Sequence, residues 1–124
     1  MQPIVLFAVA GAGALGAVAR YLATLLVRHW GGVGPVPVAC VNIVGCFGFG
    51  LCWAFAHGRW SHPVATAVLA GFFGAFTTFS AFAFDGFELL EQRRIGAFVL
   101  NALVQNGVGL LAVWMGIAAG PARS

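Results

Sequence analysis

The chain has 124 residues, 61% of them hydrophobic and only 7% charged, and its +3 balance comes from six Arg, with no Lys, against Asp85, Glu88 and Glu91. A soluble fold this small has too little interior to hide so much apolar surface, so the composition is that of a membrane protein. The charge is too weak to suggest a nucleic-acid partner.

Four apolar blocks, at about 4–27, 36–56, 64–90 and 95–118, are each long enough to cross a hydrocarbon core of ~30 Å as a helix of ~20 residues. The predicted fold is therefore all-α, one unit of four transmembrane helices over 1–124. No basic stretch precedes the first block, and it exceeds the usual apolar core of a signal peptide, so it reads as a permanent span. Within it, Gly11-Ala12-Gly13-Ala14-Leu15-Gly16 matches the glycine spacing of a dinucleotide-binding turn. It lies inside an apolar span with no acidic residue about 20 positions on, and small residues there let a neighbouring helix approach closely. Arg20 is costly to bury; it either snorkels as an anchor or lines a vestibule that concentrates anions.

After a turn marked by Gly31, Gly32, Pro35 and Pro37, with Trp30 as an interfacial aromatic, the second span carries Asn42. A carboxamide in hydrocarbon needs a partner or a cavity, and its NH₂ can donate to an anion. Cys40, Cys46 and Cys52 recur every six residues, a rotation of ~240° per step, so they point to three faces and read as small buried apolar residues. The next break holds His57, Arg59, Trp60 and His62, interfacial side chains without a carboxylate at ligand spacing.

The third span departs from its apolar pattern. Residues 71–85 bring together glycines, Thr77, Thr78, Ser80 and six Phe. Gly and adjacent β-branched Thr weaken helix preference and predict an interruption near mid-membrane, where freed carbonyls can coordinate a cation. Phe72, Phe76, Phe79 and Phe82 recur at helical spacing. Such a stripe serves as packing material, or its electropositive ring edges hold an anion stripped of water. In the fourth span Asn101 and Gln105 are i, i+4 neighbours, with Asn106 beside them; they either bond between helices or join Asn42, Thr77, Thr78 and Ser80 in a polar track.

Arg59, Arg123 and the amino terminus fall on one side of a four-span chain, and Arg28, Arg93 and Arg94 on the other. So small a bias permits insertion in both orientations and hence an antiparallel dimer of identical chains, with a single orientation as the alternative. The three carboxylates cluster at 85–91, so no nucleophile, base and orienting acid can be assembled, and the chain does not read as an enzyme.

These residues carry a resemblance to the Fluc (CrcB) fluoride channels over the whole chain. The matching features are Gly16-Ala17 with Arg20-Tyr21, then Val41-Asn42 with Gly45 and Phe47, then Gly71-Phe72, Gly74, Thr77-Thr78-Phe79-Ser80 and Phe82 with Asp85. The resemblance implies a dual-topology antiparallel homodimer in the cell's inner (plasma) membrane, with two pores that export fluoride passively. It implies aromatic fluoride sites at Phe79 and Phe82, polar contacts at Asn42, Thr78 and Ser80, a pore entrance at Arg20, and a looser alignment of Asn101 and Gln105 with the pore. It also implies a structural Na⁺ at the dimer interface, held by backbone carbonyls of Gly74 and Thr77. Ala81 and Ala83 stand where the family commonly has hydroxyls, and Asp85 where it usually has Glu.

Two other classes remain as readings. A small multidrug-type exporter needs a carboxylate in the first span, which has none. A non-transporting assembly protein would explain the glycines and the Phe stripe but not Asn42 or the Thr pair.

Overall fold

The computed structural model describes residues 3–121; Arg123 and the amino terminus, both counted in the charge balance above, lie outside them. Among the described residues, four helices are long and apolar enough to cross a membrane: Pro3–His29, Val36–Ala56, His62–Glu91 and Ile95–Ala119. These bounds lie within two residues of the predicted blocks. We label the first two α1 and α2. The third is two segments, α3 (residues 62–76) and α4 (Phe79–Glu91), and the fourth is α5. Two stretches, Ala67–Phe73 in α3 and Val104–Val108 in α5, are wound as π-helix.

The turns follow from their residues. Gly31, Gly34 and Gly58 take positive φ, which a side chain would resist. Pro35 and Pro37 open α2, where a missing N–H costs nothing. Arg93 also adopts φ 55°, so the α4–α5 turn carries an Arg in a conformation usually left to Gly.

Packing depends on glycine. Most contact falls between α2 and the second half of α5, and between α1 and α3. A Cβ at Gly50 would overlap the Val113 carbonyl, one at Gly116 the Phe47 carbonyl, and one at Gly16 the Phe72 carbonyl. Backbones approach this closely only where the side chain is absent. In lipid, where apolar surface gains nothing by leaving its solvent, such van der Waals contact holds helices together. Of the first-span glycines, Gly13 and Gly16 face the backbone of α3, whereas Gly11 borders open space.

Gly50→Ala and Gly116→Ala are therefore expected to destabilise the protein by about 1–3 kcal/mol each through overpacking. Gly96→Ala, with nothing within 4 Å of the added carbon, should be neutral or stabilising. Denaturation of the purified variants in mixed detergent micelles checks the contrast.

Candidate functional site

At Thr77 and Thr78 the chain leaves the helical region, with φ,ψ of −82°,156° and −147°,115°. Asn42, facing it from α2, supplies the hydrogen bonds that a helix would have made. Thr78 N donates to Asn42 Oδ1 at 2.8 Å, and Asn42 Nδ2 donates to the Thr78 carbonyl at 3.1 Å. The carboxamide thus acts as a substitute peptide group. In a continuous helix the Thr78 N–H would serve the Gly74 carbonyl; here it is diverted.

The two ends of the break differ in polarity. Carbonyls terminate α3, whereas α4 begins there with the Phe79 and Ser80 N–H groups, which have no acceptor within the helix. Thr78 caps α4, its Oγ1 accepting from Ala81 N at 3.3 Å and lying 3.2 Å from Ser80 Oγ.

The second proton of Asn42 Nδ2 goes to Gln105 Oε1 at 2.7 Å, and Gln105 Nε2 donates to Asn101 Oδ1 at 2.9 Å. Asn42, Gln105 and Asn101 therefore form one chain of amides from α2 into α5. Both protons of Asn42 are engaged, so its first task in this structure is to hold the break. Asn101 and Gln105 share a face, as their spacing predicts, and the π-helical turn that includes Gln105 brings it onto α2.

A cleft of about 210 Å³ lies beside this network, lined by Asn42, Cys46, Thr77, Thr78, Phe79, Phe82, Gln105 and Asn106. The rings of Phe79 and Phe82 are 5.5 Å apart and tilted by 54°. The Phe stripe drawn along a continuous helix is divided by the break. Phe72 and Phe76 stack on each other at 5.8 Å, and Phe76 is buried as packing, while Phe79 is 78% exposed. Cys40, Cys46 and Cys52, expected to be buried, are each half-buried, and Cys46 faces the cleft. Its i, i+4 relation to Asn42 is the signal that would have found it. Asn106 also lines the cleft, and its amide donates to the Ala102 carbonyl.

Arg20 lies in a second cleft, about 510 Å³, with Thr24, Arg28, Asp85 and Glu88. Thr78 borders both clefts, so the Arg20 region adjoins the aromatic one. Ala81 also lines this second cleft and presents only a methyl group to it. One carboxylate oxygen of Asp85 is enclosed without a hydrogen-bond partner. Gly74 is exposed, with open space where a side chain would be.

Asn42→Ala removes three hydrogen bonds that span helices. At roughly 0.6 kcal/mol each in a bilayer protein, the expected loss is about 2 kcal/mol, measured by unfolding in micelles or bicelles.

Comparison with known proteins places this geometry in context. The family model described as "CrcB-like protein, Camphor Resistance (CrcB)" matches residues 7–117. A protein of Nitratidesulfovibrio vulgaris named "Fluoride-specific ion channel FluC" is 44% identical, the alignment covering 97% of this chain and 98% of that one. Proteins of the same name from Solidesulfovibrio magneticus and Desulforapulum autotrophicum are 45% and 42% identical, each over 90% of this chain and 92% of the relative. With a family model matched over nearly all its length, and relatives of almost the same extent, the chain belongs to the CrcB family.

Proposed function

We propose that this protein is a fluoride-selective channel that lets cytoplasmic fluoride leave the cell passively. The reading rests on the relatives named as fluoride-specific channels and on one structural feature. The Asn42-held break turns the start of α4 and the Phe79–Phe82 pair toward a single cleft. A helix N-terminus and two ring edges offer partial positive charge without a full countercharge. A small, strongly hydrated anion exchanges water there for the Phe79 and Ser80 N–H groups, the Thr78 and Ser80 hydroxyls and ring edges. Selectivity then depends on a passage whose donors close only around the smaller ion.

The working form is an antiparallel homodimer, inserted in both orientations in the inner membrane and containing two pores. Phe79, Gly74 and Asn106 are all exposed on the isolated chain, a surface suited to a second copy. Arg20 attracts the anion at the entrance, and Gln105 and Asn101 continue the polar wall beyond the cleft.

A structural Na⁺ at the dimer centre belongs to the same reading. The diversion of the Thr78 N–H to Asn42 supports it, because the Gly74 carbonyl loses its helical donor, and the Thr77 carbonyl lies beside it. When bound, such an ion supplies a fixed positive charge between the two chains.

Physiologically, HF crosses lipid uncharged, ionises inside and is trapped as fluoride, and a negative-inside potential favours exit by ~2.3 kcal/mol per 100 mV.

Liposomes loaded with potassium fluoride and chloride test the proposal through ion-selective electrodes after valinomycin is added. Rapid fluoride release with chloride retained is expected, and at least tenfold slower release from the Phe82→Ile, Asn42→Ala double variant. Equal release from that variant would favour a different path, and no release from folded wild type would remove the channel reading. Release unchanged after exhaustive exchange of Na⁺ for N-methyl-D-glucamine would remove the Na⁺.

A further inference from the structure

The starts of α2 and α5 diverge. Their contact is concentrated in the second half of α5, and the divergence leaves a groove of about 320 Å³. Arg94 is the single charged residue on its walls and Asn101 the single polar one; the rest is aliphatic or Pro.

Asn101 is 7% exposed, and its Nδ2 is enclosed without a hydrogen-bond partner while its Oδ1 accepts from Gln105. A buried N–H left without an acceptor is uncommon and points to a missing group. The same groove receives the N-terminus of α2, whose first turn has no acidic residue and no side-chain cap, and α5 begins beside it in the same state. Both helix ends are therefore electropositive. The Arg20 cleft, by contrast, sets Asp85 and Glu88 against its two Arg. Of the two openings, only the groove is lined by positive charge alone.

We propose that this groove is a second anion mouth, in which Arg94 gathers a small monovalent inorganic anion and Asn101 Nδ2 donates to it. The amides of Gln105 and Asn42 lead from that point to the aromatic cleft. The proposal rests on the channel reading, under which the anion is fluoride. One amide and one guanidinium offer few donors for a dehydrated phosphate group but suit a halide that keeps part of its water.

Fluoride release from liposomes of neutral phosphatidylcholine, measured with the full chain at 10 mM and 1 M potassium gluconate, tests it. Charge steering reaches ~30 Å at the lower salt and ~3 Å at the higher. Arg94→Gln should slow release three- to tenfold at 10 mM and approach wild type at 1 M, with Arg94→Lys retaining most of the rate. Asn101→Leu should slow release at both salts. Wild-type rates in both Arg94→Gln and Asn101→Leu, or an Arg94→Gln defect independent of salt, would overturn the proposal. An Arg94 effect that appears only when phosphatidylglycerol is present would assign the groove to lipid phosphate and overturn it equally. Wild type that releases no fluoride would remove the channel reading itself, an outcome separate from any difference between variants.

Discussion

A polypeptide inside a bilayer cannot leave its peptide groups unpaired, and the pairing of Asn42 with Thr78 is how this chain meets that constraint where its third span is interrupted. Without a partner that both donates and accepts, the Thr78 N–H and carbonyl would lose the hydrogen bonds they make here. The carboxamide has both functions on one rigid plane, which is why an Asn fits where an aliphatic residue would not. Its third hydrogen bond, to Gln105, ties the interruption to α5.

Consequences spread from that point. Breaking the helix creates a negative end, where α3 terminates, and a positive end, where α4 begins, within a few residues of each other. Phe79 and Phe82 belong to the positive end and leave the stripe that Phe72 and Phe76 use for packing. The glycine contacts between α2 and α5 complete the arrangement, packing together the two helices that the Asn42–Gln105 hydrogen bond also joins. The same contacts lie in the second half of α5, so the opposite ends of the two helices part and leave a groove.

Much of the site was legible because its residues are chemically out of place. Asn42, Thr77, Thr78, Gln105 and Asn101 are polar in apolar spans, and hydrocarbon imposes a cost on each that demands a structural answer. What could not be read was which answer each received. The sequence left Asn101 and Gln105 open between helix pairing and a polar track, and the structure has them bonded to each other and, through Gln105, to Asn42. Cys46 carries no such signal of a cleft position, because a thiol is apolar enough to be unremarkable in a span. The π-helical turns were also invisible, since they depend on how neighbouring helices pull on the backbone and not on any residue's own preference.

The sequence by itself determined the four spans and their ends, because the length of an apolar run and the turn chemistry of Gly and Pro are local properties that bilayer thickness converts directly into helices. It also marked the weak point of the third span, since Gly and paired Thr oppose helix locally. Only the tertiary structure decided that Asn42 would stabilise that break, that the Phe stripe would divide into a packing pair and a cleft-lining pair, and that Asn101 would be left with its amide nitrogen unpartnered. Each of those outcomes is set by distances between residues far apart in the chain, fixed by how closely glycine lets the backbones pack.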